Sequence, residues 1–398
     1  MNIVFLLRPW PIYGGGETVT RILANEFVNR GHHVTVLFTH QTEKKSGLFI
    51  SELIQEVRVP NVQFDEHTVC FSEEVLHSAN LFVTDFCKKH NVDVVINQWW
   101  PKETLKGLKN LCIVLSCLHT DPFKRFEYEN KKWRGRDLIL KLLGSRLYFK
   151  LRTQKICKEI ESCLPYVHKY LFLSQKSVQE FLQFSGKPEL RNRVDYCNNP
   201  LTYEHSISLD KIEKKENYVL FVGRMYEDAK KVSKILNAWK GVTREAIQGN
   251  WKLVLIGDGP DLTSYKNKAK ELKLVNYEFL GYQSPQKYFE ASKIFLMTST
   301  HEGWPMTLAE AKQNAVVPIV RDTFAALDEM VKDGINGRII NGNDSVAFVE
   351  ALRDLMVDEE KRLSMAKECL SDFNRFSVKI VVDKWERIFK ELKQEINQ

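Results

Sequence analysis

The sequence has no C-x-x-C pair and no histidine–cysteine cluster at zinc spacing, which argues against a structural zinc site or a dithiol redox centre. It has no D-x-D triplet, so no obvious pair of carboxylates is present to hold Mg²⁺ on a diphosphate. It also lacks a G-x-G-x-x-G fingerprint, and no acidic residue ends its second apolar run, which argues against a dinucleotide-dependent dehydrogenase. No stretch approaches the roughly 18–20 apolar residues of a membrane span. The short apolar start MNIVFLL, broken by Arg8, is too brief for a secretory signal. Low-complexity tracts, internal repeats and recognised nucleic-acid motifs are absent as well. A cytoplasmic location is therefore expected.

What is present is a globular composition, 43% hydrophobic and 27% charged, over 398 residues. That length suits two domains of roughly 100–200 residues each. The eight cysteines fall largely inside apolar runs, as Cys112 and Cys117 do in LCIVLSC, and read as buried reduced thiols. The net charge is +7, and residues 121–160 hold twelve Lys/Arg against five Asp/Glu, so one segment carries the whole excess. Its basic residues alternate with Trp133, Leu138, Leu142, Leu147, Tyr148 and Phe149. The segment reads as a solvated helix with a core face, as a peripheral contact with the anionic inner face of a membrane, or as a docking site for an anionic polymer.

Short, continuous apolar runs recur: 2–7, 33–39, 92–97, 111–117 and 170–174, then 218–223, 251–257, 277–281, 293–299 and 316–320. Continuous Val/Ile/Leu runs separated by amphipathic stretches are the pattern of parallel strands buried on both faces, with crossover helices. Thr18–Asn29 shows the helical period, with Val19, Ile22, Leu23 and Phe27 on one face and a stop at Arg30-Gly31. The polar, aperiodic stretch between Pro200 and Asn217 reads as a linker. The fold class expected is α/β, with two facing Rossmann-like, doubly wound parallel-sheet domains and a cleft between them. The first domain is residues 1–200 and the second residues 201–377. A terminal amphipathic helix, 378–398, presents Ile380, Val381, Trp385, Ile388, Phe389 and Leu392 on one face and must dock.

In such sheets ligands bind beyond the carboxyl ends of the strands, and chemistry-bearing residues cluster there. After the run at 293–299 comes Glu302-Gly303-Trp304-Pro305-Met306-Thr307, with Glu310 further on. Pro305 suits the first position of a helix. The N–H groups of Met306, Thr307 and Leu308 would then face a diphosphate, while the two carboxylates accept hydrogen bonds from sugar and ribose hydroxyls. The plainer reading makes Glu302 a cap and Glu310 a solvated helix residue. Gly223-Arg224 leaves another run, and Lys230 or its neighbour Lys231 follows; these cations suit a leaving diphosphate. Gly15, Gly16 and Glu17 follow the first run and open a helix, so backbone can approach a phosphate or a sugar closely; a tight structural turn is the alternative. His119 ends a run and suits a sugar hydroxyl or the nucleophile. Gly257-Asp258-Gly259-Pro260 and the backbone at Gly281 are turns able to approach a nucleotide. Trp99 and Trp100 offer rings for an acceptor sugar, or are buried under a loop.

Taken together, Gly15-Gly16-Glu17, His119, Gly223-Arg224 with Lys230, Gly257-Asp258-Gly259-Pro260 and Glu302 with Glu310 resemble a known family. It is the retaining nucleotide-sugar glycosyltransferases of GT-B architecture, called group 1 or family 4. The resemblance is close over 217–340 and looser in the amino half. It implies a donor held mainly by the carboxyl domain, an acceptor held mainly by the amino domain and a last helix that crosses back. It implies that Glu302 touches the sugar, Glu310 the ribose, and Arg224, Lys230 and the Gly15-Gly16 turn the diphosphate. Two departures stand out: Trp304-Pro305 within the E-G-F-G-type segment, and Lys231 where the family often has glycine.

With no D-x-D triplet, the expected chemistry is metal-free and cofactor-free. A hexose moves with retention from a UDP- or GDP-sugar to a glycan or lipid-linked acceptor, in surface polysaccharide synthesis. A nucleotide-sugar epimerase of the same architecture is the enzymatic rival, separated by whether the donor is converted without acceptor. A non-catalytic carbohydrate-binding protein is the other rival, and it would be indifferent to Glu302→Gln.

Overall fold

The computed structural model describes residues 1–11, 14–41, 49–62, 64, 71–123, 145–203, 207–342 and 344–396. Most of the basic segment, 124–144, and Tyr13 and Cys70 lie outside these residues. The chain divides into two compact units. The first holds Met1–Phe123, the chain leading to Thr202, and Phe376–Gln398; the second holds Tyr203–Arg375.

The first unit is built on a seven-stranded sheet of β1 (Asn2–Trp10), β2 (His33–Gln41), β3 (Gln55–Arg58), β4 (Val94–Asn97), β5 (Ile113–Cys117), β6 (Lys169–Phe172) and β7 (Val194–Tyr196). Their order is β3-β2-β1-β4-β5-β6-β7, with neighbours parallel. The second is built on six strands: β8 (Tyr218–Val222), β9 (Lys252–Ile256), β10 (Tyr277–Phe279), β11 (Ile294–Met297), β12 (Val317–Arg321) and β13 (Arg338–Ile340). These are ordered β10-β9-β8-β11-β12-β13, again parallel. In both sheets the order reverses beside the first strand, which puts a topological switch point at β1/β4 and at β8/β11.

Every one of the ten apolar runs becomes a strand; all but the edge strand β10, whose Glu278 is exposed, hold fully buried residues. In β8 and β9, Val219, Phe221, Leu253 and Leu255 join the core cluster that includes Ile235, Trp239 and Leu352, and their neighbours Leu220 and Val254, on the other face, are equally buried. In the first unit Phe5 of β1 lies 6.3 Å from Phe27 of the helix Gly15–Asn29, and Phe27 lies 5.8 Å from Phe389 of the terminal helix Val378–Ile396. That helix buries Val381, Val382, Trp385, Ile388, Phe389 and Leu392, at a gross gain of about 1.5–3 kcal/mol for each large apolar side chain. Ile380, expected on the same face, is exposed. The polar rim is ionic: Arg30 contacts Asp383 at 2.6 Å and Glu386 at 3.0 Å, and His32 Nε2 lies 2.9 Å from Glu386.

The stretch read as an aperiodic linker contains a short helix, Leu209–Ile212, whose Ile212 is buried in the second core. The seven described cysteines are free thiols, and six are buried. Among the described residues no helix is long and apolar enough to cross a membrane.

Candidate functional site

The second unit gathers its candidate residues at the carboxyl ends of β8, β9, β10 and β11. The loop leaving β8 is laced to the loop leaving β9: Gly223 N–H donates to the Ile256 carbonyl at 3.0 Å and Met225 N–H to the Asp258 carbonyl at 2.9 Å. Gly257 has φ 138°, and a Cβ there would fall 1.9 Å from the Gly223 carbonyl oxygen. The close approach that requires this glycine is to the neighbouring loop's backbone. Gly257 N–H also donates to the Gly281 carbonyl at 2.8 Å, which ties in the end of β10.

On this platform stands a one-turn helix, Glu227–Lys230. Asp261 caps it by accepting from Glu227 N–H at 2.8 Å. Strand β11 holds its other end: Thr298 Oγ1 donates to the Lys230 carbonyl at 2.8 Å, Thr300 Oγ1 to the Asp228 carbonyl at 2.9 Å, and Thr300 N–H to the Ala229 carbonyl at 2.8 Å. Neither threonine was singled out from the sequence; the available signal was a Thr-x-Thr directly after an apolar run. The scaffold aims the ammonium of Lys230 at Glu302, with Nζ 2.5 Å from Oε1. Lys231 takes the left-handed conformation, φ 50°, and is itself buried. That conformation explains why glycine suits the position, and it leaves Lys230 as the lysine facing the carboxylate. Arg224 is exposed, its guanidinium 5.7 Å from the Tyr226 ring.

Beyond Glu302 the chain turns into the helix Met306–Gln313. Pro305 is the residue before this helix, not its first residue as expected: its ψ of 108° is extended, and its carbonyl accepts from Leu308 N–H at 3.1 Å. The opening amides of Met306 and Thr307 have no preceding turn to bond to, which is the general property of a helix start. Glu310 is buried at 7% exposure, so the reading of it as a solvated helix residue is excluded.

The first unit brings its own candidates to the ends of β1, β4 and β5. Gly16 lies in the first turn of Gly15–Asn29, and a Cβ on it would meet the Trp99 ring at 2.3 Å. The glycine thus lets the indole lie on the helix start. Gly15 is exposed with open space around it, and the Glu17 carboxylate folds back to within 2.3 Å of where a Gly14 Cβ would be. Trp99 is partly exposed and lies 4.9 Å, ring to ring, from His119. His119 Nε2 contacts Gln98 Oε1, and burial holds the imidazole down at about 4, so it is neutral at physiological pH.

Trp100 does not fit the role of an acceptor platform. It is 3% exposed, its Nε1–H donates to the Leu7 carbonyl at 2.6 Å, and Phe64 packs edge-on against it at 5.3 Å. Both ring faces are committed to the core, so no sugar can stack there. Of the basic segment, the described helix Ser145–Glu161 exposes Leu147 and Leu151 and buries Tyr148.

Comparison with known proteins finds its family-model match in the second unit. Residues 207–369 match the sequence model of Glycosyl transferases group 1. The chain is 30% identical over 196 residues to the amylovoran biosynthesis glycosyltransferase AmsD of Erwinia amylovora, covering 48% of this chain and 53% of that protein. It therefore spans about half the length of that relative. To the lipopolysaccharide 1,6-galactosyltransferase of Salmonella typhimurium it is 24% identical over 370 residues, 91% of each chain. A solved structure of a TarM variant from S. aureus, in complex with fondaparinux, alpha-GlcNAc-glycerol and UDP, superposes with a TM-score of 0.73. It is 10% identical and covers 98% of this chain and 99% of that one. That likeness speaks to the fold alone.

Proposed function

We propose that this chain is a retaining, metal-independent glycosyltransferase: residues 207–369 match the sequence model of Glycosyl transferases group 1, and the whole chain has the GT-B fold. It moves a hexose-type sugar from a UDP- or GDP-sugar to a glycan or lipid-linked acceptor, in surface polysaccharide synthesis. The observation that carries the reading is the contact of Lys230 with Glu302 at 2.5 Å, set on a strand-end platform beside Arg224 and the start of the helix Met306–Gln313. Such a set holds a diphosphate on cations and amides while a carboxylate accepts from the hydroxyls of the attached sugar.

In the proposed reaction the bond between the anomeric carbon and the β-phosphate oxygen breaks. A bond from the acceptor oxygen to the same carbon forms on the same face. The acceptor's proton passes to the departing phosphate oxygen, so no protein base is needed. Lys230 and Arg224 offset the negative charge that grows on the leaving diphosphate, in the place a metal ion would otherwise fill. Glu302 orients the sugar. Neutral His119, beside Trp99 at the strand end, adds no charge of its own to the site. The galactosyltransferase relative supports transfer of a hexose. The basic segment 121–160 supports peripheral association with the inner face of a membrane, where a lipid-linked acceptor would lie.

The deciding experiment incubates the full chain with a panel of UDP- and GDP-sugars and an oligosaccharide or polyprenyl-linked acceptor, with and without EDTA, and reads the anomeric configuration of the product by NMR. Retention that is insensitive to EDTA is expected. An inverted product, or complete dependence on a divalent metal, rejects the mechanism. Conversion of the donor without acceptor rejects transfer in favour of epimerisation.

A further inference from the structure

A small internal cavity in the first unit lies between the ends of β5 and β6 and the terminal helix, lined by Val19, Gln98, His119, Asn198, Asn199 and Trp385 among others. Two ring nitrogens of its lining are buried and have no hydrogen-bond partner among the described residues: His119 Nδ1 and Trp385 Nε1. Trp385 is 4% exposed as a residue. Buried polar atoms are almost always paired, so two orphans on the wall of one cavity call for a shared explanation.

The two atoms are complementary. Indole Nε1–H only donates. The His119 imidazole is neutral and its Nε2 faces Gln98 Oε1, an oxygen that only accepts, so the ring proton sits on Nε2 and Nδ1 is a bare acceptor. Both residues line the same space; the orphan atom of one is a donor and that of the other an acceptor. The room left for the centre of a water molecule is about 10 Å³, which suits a single water and excludes a sugar or a phosphate. A water oxygen can accept from the indole and one O–H can donate to Nδ1. Asn198 and Asn199 also line the space.

We propose that one ordered water bridges Trp385 Nε1 to His119 Nδ1, and that Trp385 is through it a positioning residue for His119. The bridge fixes the Nε2–H tautomer and the ring plane, so docking of the terminal helix sets the state of an imidazole at a strand end. Only the relevance to sugar transfer rests on the function proposed above; the bridge itself does not.

The test is the long-range ¹H–¹⁵N spectrum of the full chain labelled in its histidine rings, wild type against Trp385→Phe, which keeps an aromatic ring and removes the N–H. The wild type should show a pure Nε2–H tautomer with Nδ1 shifted as a hydrogen-bond acceptor. The variant should move Nδ1 towards the free-acceptor position and lower kcat on the order of tenfold with KM unchanged, inside the ~10²-fold cost of misplacing a reacting group. An Nδ1–H tautomer in the wild type, or His119 resonances identical in both proteins, overturns the proposal. Should the variant fail to fold, a high-resolution crystal structure of the wild type decides: one water within hydrogen-bond distance of both nitrogens upholds the bridge, and an empty cavity rejects it. A moved Nδ1 with unchanged turnover upholds the bridge and removes His119 from the chemistry, so the two readings fail separately.

Discussion

Lys230 Nζ lies 2.5 Å from Glu302 Oε1 across 72 residues of sequence, and the carbonyls of the one-turn helix that ends in Lys230 are held by Thr298 and Thr300, just ahead of Glu302. The ammonium and the carboxylate are thus positioned by the same strand end. In the ligand-free chain each neutralises the other. Under the proposed function, a bound diphosphate would draw on the ammonium and leave the carboxylate to accept from sugar hydroxyls, and the pair would act as a preformed, charge-balanced receptor.

Replacing Lys230 by Ala, or Glu302 by Gln, should lower transfer by about 10²–10³-fold, the usual cost of removing one electrostatic contact to a developing charge. Stability should change by less than about 1 kcal/mol, because the pair keeps some solvent access. Initial rates and thermal melts on the same preparations check both halves. A rate within a few-fold of wild type in either variant would remove this pair from the reaction.

Gly257→Ala should destabilise the second unit by about 3 kcal/mol or more, since it combines a glycine-only φ with a collision against backbone that has no flexible side chain to move. Gly281→Ala provides the control. Its φ is 68° but open space surrounds it, so about 1–2 kcal/mol of left-handed strain is expected. Urea unfolding of the two variants should rank them in that order.

Stability should fall in mild acid. Burial lowers both His119 and His168 to about 4, and His168 Nδ1 accepts from the Val114 N–H at 3.0 Å. Between pH 4 and about 6.5 the unfolded chain binds protons at these histidines that the folded chain refuses, so stability rises with pH across that window and is lost as pH drops through it. Each histidine contributes at most ~1.4 kcal/mol per pH unit. Urea midpoints measured from pH 4.5 to 7 check the slope, and a flat profile would show that neither ring is held neutral.

Buried Lys215 predicts the same sign at the alkaline side. Its Nζ donates to the carbonyls of Phe289 at 2.9 Å and Ser292 at 2.8 Å, and burial lowers it to about 7. The folded state then binds fewer protons than the unfolded one from about pH 7 to 10, so stability keeps rising there. Lys215→Met should flatten that limb, measured by the same unfolding series.

Phe389→Ala should cost about 3–5 kcal/mol, the usual range for deleting a fully buried aromatic ring. The ring joins the terminal helix to Phe27, so calorimetry should show the loss in the first unit's transition.

The interior strands were legible because they are covered on both faces: a run such as YVLFV is apolar at every position, and parallel pairing needs no further signal. Three strands left no such trace. β3 (QEVR), β7 (VDY) and β13 (RII) are three or four residues long and sit at sheet edges, where one flank is open and polar side chains are tolerated. Trp99 and Trp100 were indistinguishable as letters. One lies against a helix start and the other in the core, and which is which depends on the register of the loop after β4. Gly257 was legible as a turn, but the partner it makes room for was not.

By itself the sequence determined the alternation of strand and helix, the two doubly wound sheets and the strand-end location of the charged residues, because hydrophobic period and chain punctuation are local properties. Only the tertiary structure decided that Lys230 and not Lys231 meets Glu302, that Gly257 yields to the Gly223 carbonyl, and that Trp385 shares a cavity with His119. Those are contacts between residues far apart in the chain, set by how strand ends are laced and how the last helix docks, and no local spacing encodes them.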